Sequence, residues 1–460
     1  MHDRRAMKIL SRIPRIVDRL VSPIQAYRNL SLATQNKALL HNIRRGAKPG
    51  VSAALLLRNI VQWLYAVALT PVVGLARIAG LRFLMVDLSQ IGSVMWIDLY
   101  LREMKLNGKR TRAIFVCRSR MFDANAYLLD LYRPYLVFIS NPVLKFLCIP
   151  FFVNPWLRDD AFRFDAPFVG GAKSESRVSY GYQVCSNYNR KFDRPLIEFS
   201  EAELRRGRAE TAQFLPPGKR FVAVHVRDSG FYGDTRRTTR NADIRSYEPA
   251  FRYLIESGFF IIRLGDPSTV RIDDMIARCG PGLVDYAHSP ARSVFLDIYL
   301  AASCEFFFGC NSGVLALPII FNKPACFVNF YNASTCLGYR PGDLSTFKKI
   351  RNTVDASLVS FEDMLRPPLS ENIQLGELRR LGYDLEDNSP EEILETVREF
   401  VETRATRPSQ RQKEAKALIP SGRHSFRADG DYSETILRQY FAASDAPPFE
   451  RRPGKVAAGR

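Results

Sequence analysis

Between residues 221 and 330, five short apolar runs alternate with four segments whose spacing is typical of helices. The first run, Phe221–Val226 (FVAVHV), is continuously apolar, as expected for a strand that is buried on both faces. Strands that alternate with helices pair in parallel. The pattern therefore predicts a doubly wound α/β unit, with the other strands at Phe259–Leu264, Leu283–Tyr286, Glu305–Phe308 and Ala325–Phe330.

A similar α/β pattern precedes this unit. Strand-like runs at 83–88, 113–116 and 135–139 are separated by helix-like segments at 94–105 and 123–132. Pro216-Pro217-Gly218 marks a loop between the two patterns. We therefore expect a Rossmann-like domain at 81–215, a second one at 216–350, a helical region at 351–445 and a disordered tail at 446–460.

The formal net charge of +19 is concentrated at the two ends of the 460-residue chain. Residues 1–50 carry 11 Lys/Arg against 2 Asp/Glu, and residues 401–460 carry 12 against 7. Basic end segments suit an anionic membrane surface or nucleic acid. Nucleic-acid binding predicts basic residues interleaved with aromatic ones on one face. Because the excess lies in the end segments instead, we expect no nucleic-acid partner.

Residues 59–76 contain no charged side chain, which makes 51–80 the most apolar part of the chain. About 18 residues is the lower limit for a membrane span, and Asn59, Gln62 and Pro71 weaken that interpretation. An interfacial helix or hairpin and a plain buried helix are the alternatives. Together with the basic residues that precede it, this apolar part predicts that the segment 1–80 associates with a membrane surface.

The eight cysteines show neither a CxxC pair nor zinc-ligand spacing, which indicates a reducing compartment and no metal site. No apolar segment typical of a cleaved secretion signal follows the first residues. Together with the basic arm, these features predict a cytoplasmic protein at the inner face of the cytoplasmic membrane.

Ligands of open parallel sheets bind beyond the carboxyl ends of the strands. His225, Arg227 and Asp228 end the first strand of the 221–330 unit, and the first two point to the same face. A guanidinium there can pair with Asp228 or bind a phosphate bidentately. Three interpretations of His225 are open: a packed core histidine, a group that orients the loop, or a general base.

Polar and glycine residues follow the other strands at the same edge. Asn311, Ser312 and Gly313 open a helix, whose first amides attract anions, although plain capping by Ser312 explains the serine equally well. Asp266 suits a ribose hydroxyl or a turn before Pro267. The last group is the basic loop that contains Arg236, Arg237, Arg240 and Asn241, which closes over a charged ligand or is merely solvated.

The segments HVRDSGFYGD, RNADIRSY, IIRLGDPS and FFFGCNSGVLALPIIFNKP resemble a family of bacterial glycosyltransferases of surface-polysaccharide synthesis, and more distantly fucosyltransferases. The match is clearest over residues 220–350. It is weaker in the first domain, through the turn at Gly92, the helix segment at Asp98 and Asn125-Ala126-Tyr127-Leu128. Relatives are expected to have Gly-His at that turn, whereas Ser93 follows Gly92 here.

The resemblance implies a GT-B-like architecture and transfer from a nucleotide-diphospho-sugar to a glycan or lipid-linked acceptor, without a metal or other cofactor. It places Arg227 on the diphosphate, with Ser312 and Gly313 nearby. Asp228, His225 and Asp98 are alternative bases. The alternative function is a non-catalytic protein that binds a nucleotide-sugar or polysaccharide.

Overall fold

The computed structural model describes eleven parts of the chain: 49–86, 88–109, 111–118, 123–154, 157, 159–160, 175–230, 238–371, 373–403, 407–419 and 428–441. The predicted tail at 446–460, residues 1–48 of the basic arm, and Arg236 and Arg237 lie outside these residues.

The first half of the protein (residues 81–211) is built on a four-stranded parallel sheet in the order β3-β2-β1-β4. Its strands are β1 (Leu81–Met85), β2 (Ala113–Cys117), β3 (Val137–Ile139) and β4 (Asp159–Asp160). The helices of this half are α3 (Ile91–Leu106), α4 (Ala126–Asp130), α5 (Pro142–Leu147), α6 (Ile149–Val153), α7 (Glu175–Phe192) and α8 (Glu201–Thr211). They are preceded by α1 (Pro49–Ala68) and α2 (Thr70–Ile78).

The second half (residues 221–441) contains a seven-stranded parallel sheet in the order β13-β10-β9-β8-β5-β6-β7. Its strands are β5 (Phe221–His225), β6 (Phe260–Arg263), β7 (Leu283–Val284), β8 (Phe306–Gly309), β9 (Ala325–Phe330), β10 (Leu344–Phe347) and β13 (Asp431–Tyr432). Between them lie α9 (Glu248–Glu256), α10 (Asp273–Cys279), α11 (Val294–Ser303) and α12 (Ala316–Ile320). Gly218, in the predicted boundary loop, lies between α8 and β5 with a φ of +77°.

Strand β5 shows why an uninterrupted apolar run suits the centre of this sheet. All five of its residues are buried. Phe221 and Ala223 belong to one hydrophobic core, whereas Val222 and Val224 belong to a second core on the opposite face. Because successive side chains point to opposite faces of a strand, both faces must be covered by helices.

The region from 351 onward differs from the helical prediction. It contains α13 (Phe361–Met364), α14 (Leu375–Arg380), α15 (Pro390–Thr403), α16 (Gln410–Leu418) and α17 (Glu434–Leu437), but also β11 (Lys349–Asn352), β12 (Tyr383–Glu386) and β13. Strands β11 and β12 form an antiparallel pair, and β13 extends the main sheet beside β10. The region is therefore part of the second half, because its last strand completes that half's sheet.

Helix α3 joins the two halves. It packs against α12 and against the 3₁₀ turn Gly313–Leu315. The guanidinium of Arg102 forms an ion pair with Asp98 (2.5 Å) inside α3. It also donates to the carbonyl oxygens of Ile319 (3.2 Å) and Ile320 (2.8 Å) at the end of α12. Carbonyls at a helix end lack intrahelical partners, so this buried arginine fixes the halves to each other.

The architecture is two Rossmann-like α/β halves, as the GT-B-like expectation requires. Two parallel sheets carry helices on their faces and are joined through α3. The carboxyl ends of strands from both sheets border the same cavity. The fold class predicted from the sequence is therefore confirmed.

Candidate active site

A cavity of about 280 Å³ lies between the two halves, where ligands of such sheets bind. The first half lines it with residues that follow β1 and β2: Ser89, Gln90, Ile91, Gly92, Ala124 and Asn125. The second half lines it with residues that follow its strands: His225, Arg227, Asp228, Arg240, Leu264, Gly265, Asp266, Thr269, Arg292, Asp297, Ser312, Gly313, Val314 and Leu317. Eight of the eleven site residues predicted from the sequence are among them.

His225, the last residue of β5, presents a neutral imidazole to the cavity. Its Nδ1 lies 3.1 Å from the carbonyl oxygen of Leu264. A carbonyl can only accept, so the hydrogen-bond network assigns the ring proton to Nδ1 and leaves Nε2 as an acceptor. Burial lowers the pKa of His225 to about 4, so the ring is uncharged at neutral pH.

Arg227 is held at the cavity wall by Asn241. The Arg227 Nε donates to Asn241 Oδ1 (3.2 Å), and the Thr238 hydroxyl donates to the same oxygen (2.9 Å). Asn241 itself does not line the cavity. The prediction that Asn241 contacts a substrate is therefore replaced by a positioning role, since its carboxamide oxygen is occupied by Arg227 and Thr238. Arg240, next to it in the chain, does line the cavity.

Asp228 ties two loops of the cavity together. Its Oδ1 accepts from the Gly230 amide (2.9 Å), and its Oδ2 accepts from the Val270 amide (2.8 Å). A Cβ on Gly230 would lie only 2.0 Å from the Ser268 carbonyl oxygen, so this close approach requires glycine. Both carboxylate oxygens are therefore engaged by the backbone, which gives Asp228 a positioning role. Each oxygen keeps a second lone pair, so the interpretation of Asp228 as a base stays a prediction.

Ser312 brings a buried hydroxyl without a protein partner to the cavity. It occupies the N-cap position of the 3₁₀ turn Gly313–Leu315, yet its side chain makes no capping hydrogen bond. The residue is only 6% exposed, and its Oγ lacks a partner among the described residues. Plain capping therefore does not explain this serine, since an unpaired buried hydroxyl costs stability.

The two halves touch backbone to backbone beside this hydroxyl. A Cβ on Gly92 would lie 3.1 Å from the Gly313 Cα, and one on Gly313 would lie 3.4 Å from the Gly92 nitrogen. Both glycines border the cavity. A side chain at Gly92 would therefore crowd the turn that bears Ser312, whereas a Cβ at Gly313 would just reach van der Waals contact.

The far side of the cavity contains two carboxylates that differ in setting. Asp266 accepts from the Ser268 amide (3.0 Å). Burial opposes ionisation of Asp266, but the hydrogen bonds from Ser268 and the charge of Arg292 together outweigh it and lower the pKa of Asp266. Burial raises the pKa of Asp297, although Arg292 lies 3.4 Å away and favours its ionised form. Hydroxyl groups of a sugar are suitable donors to both.

The remaining two predicted residues lie away from the cavity. Asp98 is fully buried in α3, where it pairs with Arg102 and accepts from the Tyr132 hydroxyl (3.0 Å). It does not reach the cavity, so the interpretation of Asp98 as a base is wrong. Asn311 donates its side-chain amide to the Tyr331 carbonyl and does not line the cavity.

Sequence reasoning missed several polar residues of the cavity, of which Asn125, Arg292 and Asp297 make the most informative contacts. Asn125 caps α4 through Leu128 (2.9 Å) and donates across the halves to the Val294 carbonyl (2.9 Å). Arg292 donates to the Gly265 carbonyl (3.2 Å) and neighbours Asp297. Their positions in the chain could have identified them. Asn125 follows β2, and Arg292 and Asp297 lie at the start of α11, so all three are at the carboxyl edges of the sheets.

The described residues hold no cluster of three or more histidine, cysteine or carboxylate groups that could bind a metal ion. All eight cysteines are unpaired, and five of them are buried. The strongest polar features of the cavity are therefore its arginines, its carboxylates and the Ser312 hydroxyl.

Searches of protein families and of curated proteins give no match to this chain. Among solved structures, it is similar to a family 9 glycosyl transferase from Veillonella parvula, with a TM-score of 0.43 and 10% identity over 70% of this chain and 96% of that one. It is also similar to the E. coli ADP-heptose LPS heptosyltransferase II, with a TM-score of 0.34 and 13% identity over 54% and 83% of the two chains. The E. coli heptosyltransferase WaaC with ADP gives a TM-score of 0.31 and 13% identity over 58% and 90%. Likeness at these TM-scores assigns no function to this chain, and what the cavity binds must follow from its own residues.

Proposed function

We propose that the protein is a metal-independent glycosyltransferase that moves a sugar from a nucleotide-diphospho-sugar to a glycan or lipid-linked acceptor. One observation is central to the proposal. Arg227, Arg240 and the unpartnered hydroxyl of Ser312 border one cavity between two Rossmann-like halves. Guanidinium groups match phosphate geometry, and a buried hydroxyl without a protein partner is explained if a ligand supplies that partner.

In the proposed reaction, an acceptor hydroxyl forms a bond to the anomeric carbon of the donor sugar. The bond from that carbon to the diphosphate oxygen breaks, and its electron pair leaves with the nucleoside diphosphate. Negative charge therefore grows on the leaving oxygen, where fixed cationic groups and hydrogen-bond donors are most effective. Arg227 fits this role because Asn241 already holds its guanidinium in place.

The proton of the acceptor hydroxyl needs a base within the cavity. Two of the groups present are suitable: His225, whose Nε2 is an acceptor, and Asp297, whose pKa is raised by burial. Asp228 is a third, less suitable group, because each of its oxygens already accepts one backbone amide. Asp266 lies near Asp297 in the cavity wall and is suited to hold hydroxyls of the donor.

Binding and turnover test the proposal separately. The purified protein is first screened by thermal shift against UDP-, GDP-, ADP- and CMP-sugars, with and without EDTA. We expect stabilisation by one diphosphate donor that EDTA leaves unchanged, and none by the CMP-sugars, which lack a diphosphate. Release of nucleoside diphosphate from that donor is then measured with a total lipid extract of the cells that make the protein.

Arg227→Ala should lower kcat by about 10²–10³, as for the loss of one donor to a developing anion. Arg245→Ala is the matched control, because Arg245 is half exposed and does not line the cavity. Near-normal turnover by Arg227→Ala would refute the leaving-group assignment. Donor binding without any turnover would favour the non-catalytic nucleotide-sugar binding protein instead.

A further inference from the structure

Exposed apolar side chains are concentrated on three helices of the first part of the chain. Of the 19 large apolar residues that are exposed in the described chain, 12 belong to α1, α2 and α5. Ile78 is 85% exposed, Leu75 is 66% exposed and Val143 is 65% exposed. A water-soluble surface rarely collects so many apolar groups in one place without a partner. We call these 12 residues the apolar face: Leu57, Ile60, Val61, Trp63, Leu64, Val72, Leu75, Ile78, Val143, Leu144, Phe146 and Leu147.

The three helices form one surface because they are tied to the same body. The rings of Tyr65 in α1 and Phe146 in α5 stack with centroids 6.2 Å apart. The side-chain amide of Asn154 donates to the Ala66 carbonyl (3.3 Å) and the Thr70 hydroxyl (2.9 Å), at the bend between α1 and α2. The inner residues Ala66 and Val73 are buried against the first half, so the outer side chains remain uncovered.

No single helix among the described residues has the length and apolar character needed to cross a membrane. The segments Ile60–Ala68 and Thr70–Ile78 meet both criteria only as a pair, and they are bent by 54° to each other. Insertion of this pair across a bilayer would have to break the Asn154 hydrogen bonds and the contact of Arg77 with the Leu157 carbonyl. The geometry therefore suits helices that lie on a bilayer rather than in it.

The charge around the apolar face identifies the kind of partner. The described residues 49–86, which include α1 and α2, contain 3 Lys/Arg and no Asp or Glu. Residues 131–154, which include α5, contain 2 Lys/Arg and again no carboxylate. A chain with 47 Asp/Glu overall thus lacks them in both segments that build the face. Anionic lipid headgroups attract such a surface, whereas a second copy would bring two cationic surfaces together.

We propose that the apolar face docks the protein on a bilayer that contains anionic lipid, with α1, α2 and α5 lying in the headgroup region. Apolar side chains enter the boundary of the acyl chains, and the carboxylate-free segments around them contact the headgroups. This proposal does not depend on the glycosyl transfer, since it is tested without donor or acceptor.

Vesicle flotation of the full-length protein tests the docking. We expect binding to vesicles of phosphatidylcholine mixed with phosphatidylglycerol, and weaker binding when salt is raised or when phosphatidylcholine is used alone. Ile78→Glu and Phe146→Glu should each weaken the partition by about tenfold, because each removes one large apolar side chain from the bilayer. Val354→Glu is the matched control, since Val354 is 92% exposed and lies outside the face.

Three results would overturn the proposal. The first is equal binding to neutral and anionic vesicles, and the second is equal weakening by Val354→Glu. The third is concentration-dependent self-association that Ile78→Glu abolishes, without vesicle binding, which would identify a second copy as the occupant. Since the side chain of Ile78 is 85% exposed, Ile78→Glu should keep the melting temperature of the parent, whereas Phe146→Glu also removes the ring contact with Tyr65. Altered tryptophan emission on vesicles reports the contact independently.

Discussion

The neutral state of His225 leads to a quantitative prediction. An unfolded histidine titrates at a pKa of 6.5, whereas burial lowers the pKa of His225 to about 4. Between these values the unfolded chain binds a proton that the folded protein excludes. Folding is therefore favoured above pH 6.5, and this advantage is lost progressively as the pH falls toward 4. The carbonyl of Leu264 is not lost in this process, since it accepts from Nδ1 in either protonation state.

The size of the effect follows from the difference of 2.5 between the two pKa values. At about 1.4 kcal/mol for each pH unit, the full loss is about 3 kcal/mol, most of which is reached at pH 4.5. Other groups also titrate over this range, so the measurement compares the parent with His225→Gln. We expect the stability of the parent to fall by about 2–3 kcal/mol more than that of the variant between pH 8 and pH 4.5.

Imidazole NMR signals provide the direct assay. The chain has five histidines, and the signal that disappears in His225→Gln is that of His225. Its titration midpoint should lie near pH 4, and the urea unfolding free energies of both proteins should diverge below pH 6.5. A midpoint near 6.5, or parallel pH dependences of the two proteins, would refute a buried neutral imidazole at the cavity wall.

Two further substitutions test other walls of the cavity. Gly230→Ala should destabilise the protein by about 1–3 kcal/mol, since its Cβ would meet the Ser268 carbonyl at 2.0 Å. Gly376→Ala in α14 is its control and should be neutral or stabilising, because nothing lies within 4 Å of the added Cβ. Chemical unfolding compares the stabilities of the two variants. Equal effects would contradict the close packing of the Gly230 loop. Ser312→Ala should leave the unliganded protein as stable as before, since Oγ has no partner, yet weaken donor binding by about fivefold. A loss of stability in thermal unfolding without a loss of affinity would show that the hydroxyl serves the fold instead.

The strands β1–β3 and β5–β9 could be predicted because each corresponds to a local apolar run. The apolar run at 221–226 predicted a strand that is buried on both faces, and the structure of β5 confirms it. The prediction of helix after residue 351 was correct for Pro390–Thr403, which forms α15. Strand β13 could not be found in the same way, because its two residues are strand only through pairing with Leu344 and Ser345.

Helix starts depended on side-chain contacts that the pattern does not show. The first helical segment after β5 begins as a 3₁₀ turn at Ile244, because the Asp243 carboxylate accepts from the Arg245 amide (3.0 Å). Aspartate is a good cap, but periodicity alone does not locate it.

The same limit applies to the candidate site, where the position of a residue at the sheet edge was predictable but its hydrogen-bond partners were not. The edge of the sheet was predictable, and it gathered Arg227, Asp266 and Ser312 around one cavity. Individual roles were not, because Asp228 is engaged by the amide of Val270, which is 42 residues away. The error on Asp98 was avoidable, since Arg102 lies four residues later and such spacing favours an ion pair on a helix.

The meeting of Gly92 and Gly313 gives the cavity a mechanical consequence. With no side chain between the two backbones, nothing compressible separates the halves at that point, and a displacement of one is passed directly to the other. The pair of glycines thus sets the smallest distance that the Ser312 turn can keep from the start of α3, and so fixes one dimension of the cavity.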